Sequence, residues 1–554
     1  MALNHHHYQA LGALGTLALA LGLAGCGGGS GGGGTSPGDS VATQLTPACT
    51  GTNCGAASAS TYAGQGIGVW SYANGSPAEQ TINVGLSGLG SKPVTLVYTN
   101  TSSSAVTLPG LTLTAASGTA PSQSVQPADQ PTPEANQIPE RVRDFKPRLS
   151  PADMQQATAP ARAIQASASA VGDQRNWFID AGSASIQTRS ATLRRQTTVT
   201  TPTGTRTVNL WLEDGEYGAA KVSDALMDNF LARFASGPNS AYSLVTGLAG
   251  QPWGPQPYSN LIDADQPLDI VLVNFVPDSR PYGLLGYFWS LNNYKVQPND
   301  AQYRYSNASL SFYMDTETLY LAGDAGVTTQ TSTLAHEFLH MVNFYQRGAL
   351  KGTDYMFDTF LEEMTALMSE DILADRLTPG TNPMRDTRIR QWMAQPGFNC
   401  DLASWQASTT SPCFGYSIVG SLGAYLLRQH GIGFYRQLLQ NTSSTDSLQV
   451  LGNAIAQAGG PSLPVTLQRW GANIALLPPT APSGFGWPAR SELGYSLPAI
   501  DGQLYAQVRK LPATVPAQLA ARAHFPFVRQ PNAQGVYQEQ LRIPPGTTLT
   551  AIVQ

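Results

Sequence analysis

Residues Ser332 to Tyr345 read STLAHEFLHMVNFY, and within them His336, Glu337 and His340 have types and spacing that dictate a chemistry. Four positions is slightly more than one helical turn. On a helix the two histidines therefore share a face, where two imidazole nitrogens can reach one zinc ion at about 2.0–2.1 Å. Glu337 lies beside that face, where a carboxylate can take a proton from a metal-activated water. Histidine is scarce in this chain: apart from His5, His6 and His7 there are these two, His430 and His524.

Helical elements must position the pattern. Thr331, Ser332 and Thr333 offer capping hydroxyls, Leu334, Phe338, Met341, Val342 and Tyr345 recur at steps of three and four, and Gly348 supplies a stop. Two imidazoles do not hold a catalytic zinc, because such a site uses three protein groups and keeps a position open for water. Downstream, Asp358 to Ile372 (DTFLEEMTALMSEDI) is a second amphipathic run, with Phe360, Leu361, Met364, Leu367 and Met368 on one side and the pair Glu362 and Glu363. Adjacent helical residues point about 100° apart, so one carboxylate can face the metal while its neighbour is solvated; periodicity does not choose between them.

HEFLHMVNFYQ followed by FLEEMTALMSEDI resembles the hyicolysin family of bacterial zinc metallopeptidases, over about Val208 to Leu477. That family typically carries Asn, Glu and Gly where this chain has Glu362, Glu363 and Met364, so the resemblance implies Glu363 as the third zinc ligand. The wider group, similar to thermolysin and the membrane alanyl aminopeptidases, implies an α+β, thermolysin-like, two-lobed fold and an outer role for Glu370 or Asp371 in holding a ligand imidazole. The metzincin pattern is excluded, since Asn343 and Gln346 stand where it needs Gly and His. Asp354 or Asp358 as a ligand is a minor reading. No strand resembling the aminopeptidases' amino-terminus-capturing motif is visible, which favours an endopeptidase.

Stabilising an oxyanion needs a donor, and Tyr416 and His430 are the candidates. Tyr416 opens the helical run YSIVGSLGAYLLRQH, in an order resembling the tyrosine of the aminopeptidase branch; His430 before Gly431 also reads as a helix cap. His524 is expected at the surface. Ser309–Met314 and Thr318–Leu321 are predicted strands before the histidines, and this segment is the expected edge for aligning an extended substrate.

Leu11 to Gly25 is too short an apolar stretch to span a membrane. It ends in Leu-Ala-Gly-Cys, resembling a bacterial lipoprotein processing site that would lipidate Cys26, with a plain secretory signal as runner-up. Gly27 carries no acidic retention cue, so the outer envelope or cell surface is expected, or otherwise the extracellular space. The remaining cysteines are expected to pair locally, Cys49 with Cys54 and Cys400 with Cys413, in an oxidising compartment. Charged residues make up 12% of the 554, net charge is −5, and no Lys/Arg cluster appears, which excludes nucleic acid as a partner.

The predicted organisation is a signal peptide (1–25), a Gly/Ser-rich tether (26–60), a small β domain (61–116), a Pro/Ala/Gln-rich linker (117–175), a catalytic domain (176–477) and a C-terminal β domain (478–554). The sequence thus reads as a lipid-anchored zinc endopeptidase with one zinc per chain and a peptide or protein substrate, touching the membrane only through its anchor. An aminopeptidase, or a surface-binding lipoprotein with a structural zinc, are the alternatives.

Overall fold

The computed structural model describes residues 41–113, 138–154, 169–394, 398–478 and 480–554. The leader, Cys26 and the glycine-rich stretch after it lie outside the described residues. Strands β1 (Gly68–Ala73), β2 (Gln80–Leu86) and β3 (Val94–Asn100) come first. They are followed by β4 (Gln174–Ile179), β5 (Gln187–Thr201), β6 (Gly204–Glu213), β7 (Leu268–Val273), β8 (Gly286–Phe288) and β9 (Leu310–Asp315). After a helical stretch the chain closes with β10 (His524–Arg529), β11 (Tyr537–Ile543) and β12 (Thr547–Val553).

β4 to β9 build one six-stranded sheet in the order β8-β9-β7-β6-β5-β4. LDIVLV of β7 is apolar at all but one position and buried throughout, as expected for a strand flanked by parallel neighbours, here β6 and β9. β8 runs antiparallel to β9 and is the edge nearest the histidines. The segment expected at that edge differs on two counts. β9 is an interior strand, and Thr316–Leu321 is a helix, because the Asp315 carboxylate accepts from the Thr318 amide and caps it.

The histidine helix spans Gly323–Asn343 and starts well before the predicted caps. Thr331 and Thr333 turn their hydroxyls back to the carbonyls of Val327 and Thr329, a bond made in a helix interior and not at a cap. Gly326 allows the close crossing with the preceding helix, since a Cβ there would collide with the Thr318 carbonyl. The helix does not stop at Gly348: Phe344–Ala349 continues as a π-helical turn, and Arg347 ties it to the carbonyls of Leu439 and Asn441. Leu334, Phe338, Leu339, Met341 and Val342 are fully buried, each contributing about 1.5–3 kcal/mol of burial. A glutamate helix (Thr359–Leu377) packs against it, and a tyrosine helix (Gly415–Gln440) packs against the glutamate helix in the same core.

The two accessory β segments are not separate domains. β12 lies between β1 and β3, β10 pairs with β3, and β11 pairs with β2, so residues 68–100 and 524–553 make one β body around a shared core. The apolar pattern of each strand marks it as a core strand but not which strand it meets. His524 of β10 is buried, with its ring against Trp470 and Gly471 and Nδ1 3.0 Å from the Thr99 hydroxyl, not at the surface. The expected tether is packed from Val41 onward, where Leu45 and Cys49 are buried. Within the expected linker, Val142 and Phe145 enter the main core. Cys49 pairs with Cys54 and Cys400 with Cys413. No described helix is long and apolar enough to cross a membrane.

Candidate metal centre

His336 and His340 sit one turn apart on the buried face of their helix, ring centroids 4.7 Å apart. Glu363 arrives from the glutamate helix. One ligand atom from each of the three lies within 4.8 Å of the others, the only such grouping of metal-ligating side chains among the described residues. Glu363 Oε2 is 3.1 Å from His336 Nε2 and 3.7 Å from His340 Nε2.

The opposite ring nitrogens are already taken. His336 Nδ1 meets Glu370 Oε1 at 2.8 Å, and the Ser332 hydroxyl donates to the other Glu370 oxygen. His340 Nδ1 meets Glu362 Oε1 at 2.8 Å, and Asn343 Nδ2 donates to both Glu362 oxygens. Each carboxylate fixes a tautomer that presents Nε2 to the common centre. His340 Nε2, buried and without a hydrogen-bond partner, fits an atom awaiting a metal. Asp371, the other expected outer acceptor, is instead paired with buried Arg428 at 2.6 Å. Glu362, expected to be solvated, is engaged. Its clue was Asn343, one turn beyond His340 on the same helix, where an amide could brace a carboxylate from a neighbour.

Electrostatics favours positive charge at this point. Burial pushes the His336 imidazole down, but Glu363 and Glu370 outweigh it and leave it raised to about 9; Glu362 and Glu363 likewise hold His340 well above its usual range. Glu363 is itself buried, yet the two imidazoles hold its carboxyl far below the ordinary value. Four carboxylates converge here, and a divalent cation would supply the charge that two imidazolium rings otherwise provide.

Glu337 is buried beside the ligands, and its Oε2 accepts the Phe288 amide of β8 at 2.8 Å; burial raises its pKa, partly offset by the two imidazoles. Tyr416, at the start of the tyrosine helix, stands with its ring 6.5 Å from that of His336, wedged against Trp405 and Phe414. Burial first, then Glu363 and Glu337, push its hydroxyl well above the ordinary range and keep it a neutral donor. His430 is not brought to the centre. It lies fourteen residues further along that helix, about 21 Å at 1.5 Å per residue, packed on Phe434 and Gly460. Gly431, at φ 90°, kinks the helix there, and the helical run continues beyond it to Gln440.

The profile of the family Peptidase M30 matches residues 185–554, and that of a domain of unknown function (DUF8571) matches residues 47–113. No curated protein matches the chain. Among solved structures, the chain is similar to an M1 zinc metallopeptidase from Deinococcus radiodurans at 13% identity, covering 62% of this chain and 63% of that one with a TM-score of 0.28. It is also similar to an aminopeptidase N family protein from Idiomarina loihiensis at 11% identity, covering 63% and 69% with a TM-score of 0.29. The chain spans 60% of the length of a two-domain M1 zinc metallopeptidase bound to L-arginine. Scores this low leave the chemistry to be argued from the residues themselves.

Proposed function

Because the chain belongs to the Peptidase M30 family, we propose that it is a zinc endopeptidase of thermolysin-like, two-lobed plan whose centre is His336, His340 and Glu363. The observation that carries this reading is the convergence of both Nε2 atoms on Glu363 while both Nδ1 atoms are held by carboxylates. One zinc held by these groups supplies a Lewis acid that makes water reactive near neutral pH.

Glu337 takes a proton from the attacking water as its oxygen adds to the peptide carbonyl carbon, then gives that proton to the departing amine nitrogen as the C–N bond breaks. The raised pKa of Glu337 suits both halves of this transfer. Tyr416 donates its hydroxyl to the carbonyl oxygen as negative charge gathers there. β8 is an edge strand next to Glu337, alongside which an extended peptide would align.

An aminopeptidase needs a free carboxylate to hold the substrate's amino terminus. The carboxylates seen at the centre are all engaged, Glu362 and Glu370 by imidazoles, Glu363 as ligand and Glu337 by β8, which supports internal cleavage. Zinc stoichiometry on the purified chain, with cleavage of amino-terminally acetylated peptides by the wild type and Glu337→Gln, tests the reading. Turnover of free-amino peptides alone would move it to an aminopeptidase, and bound zinc without turnover of any peptide would leave a binding protein. The anchor at Cys26 and a place at the outer envelope are proposed from the sequence alone; mass spectrometry of the mature amino terminus checks both.

A further inference from the structure

A cavity of about 320 Å³ opens beside the β8 edge, walled by Phe145, Ile186, Trp289, Leu291 and Tyr305 with exposed Ala301 on its rim. Its size is at the low end for ligand pockets, fitting one large side chain. Trp289 directly follows Phe288, so this wall starts one residue along the chain from the amide that Glu337 accepts. The facing wall belongs to the segment of the Glu140–Arg143 helical turn, which precedes the family match.

The charges on this wall are largely spent. Arg141 holds Asp180 through two nitrogens, and Arg143 holds Asp144 in the same way, leaving Glu140 without an ion-pair partner among the described residues. Besides Gln302 and the exposed Glu140, what remains is an aromatic and aliphatic lining with one orphan polar atom. Trp289 is 3% exposed and its indole N–H has no acceptor. A buried indole donor usually finds a partner, and an acceptor on a molecule seated in the cavity would supply one.

We propose that this cavity is the specificity subsite for a bulky apolar side chain of the substrate, aromatic above all, with the Trp289 N–H donating to an acceptor on that substrate such as a tyrosine hydroxyl. The proposal rests on the endopeptidase reading and names its substrate class. Edge-to-face contact with Trp289, Phe145 and Tyr305 supplies the preference for rings.

The test pairs cleavage-site profiling of the zinc-loaded full chain with calorimetric binding of the same peptides to Glu337→Gln, which reports on the subsite even without turnover. Aromatic residues should be preferred over alanine at one position flanking the cut by about 10-fold or more, in cleavage and in binding alike. Ala301→Trp, which fills the rim, should erase that preference while peptides with small residues there are cut as before. Trp289→Phe should keep the ring preference and reduce only that for tyrosine over phenylalanine. A profile indifferent to rings, a preference for basic side chains drawn by Glu140, or a ring preference that survives Ala301→Trp would overturn the subsite. Ring-selective binding to Glu337→Gln without cleavage by the wild type would instead uphold it and sink the peptidase reading.

Discussion

Replacing Glu370 by Gln should loosen the metal without dismantling the fold. Glu370 holds His336 Nδ1 at 2.8 Å and receives the Ser332 hydroxyl at 2.8 Å, with both ionisable side chains under a tenth exposed. Glutamine keeps the shape and one acceptor, but removes the charge that makes the imidazole a stronger donor to the metal. Loss of such an outer partner costs about 10- to 100-fold in metal affinity, or about 1.4–2.7 kcal/mol. Glu362→Gln should cost less, because Glu362 is 25% exposed and its charge is already shared with solvent. Competition with a chromogenic chelator gives both dissociation constants, and circular dichroism of the metal-free proteins checks that they remain folded. A folded Glu370→Gln protein whose affinity stays within about twofold of wild type, or a larger loss in Glu362→Gln, would refute the reasoning.

Glu337→Gln should keep one zinc per chain and lower kcat by about 10²- to 10⁴-fold, read by metal analysis and peptide assay together. Tyr416→Phe should lower kcat by about 10²- to 10³-fold with little change in KM, measured on one peptide across a full concentration range. His524 gives a pH signature. Burial lowers its pKa from 6.5 to about 3, so the unfolded chain takes up a proton below pH 6.5 that the folded one refuses. Stability is therefore intact above pH 6.5 and falls as the pH drops toward 3, by up to the order of 5 kcal/mol for this group. His524→Phe should flatten that slope in urea unfolding at stepped pH, and an identical slope in both proteins would assign the acid loss elsewhere.

The spacing of His336 and His340 was legible because a four-residue step has one meaning on a helix. Choosing Glu363 over Glu362 needed the family resemblance, since neighbouring carboxylates look alike until the facing helix is known. Glu362 was misread for that reason: its partners, His340 and Asn343, lie on another element. Leu319, Tyr320 and Leu321 carry a strand-like composition that the Asp315 cap overrides. His524 and the pairing of β12 depend on contacts across most of the chain, which no local pattern records.

The position of β12 bears on how the molecule comes into being. Asn74 gives its side-chain amide to the carbonyl of Ile543, 469 residues on, and the strand that follows slots between two strands made more than 400 residues earlier, Gly68–Ala73 and Val94–Asn100. The metal-bearing segment thus lies in sequence between the early and the late strands of the β body, and the early strands keep open edges until the late ones arrive. Those edges stay available for wrong partners until Thr547–Val553 emerges, so assembly is slow and long-range by construction. Deleting that single strand would split the sheet between Gly68–Ala73 and Val94–Asn100 and strip Ile552 from the core it shares with Ala472 and Leu476.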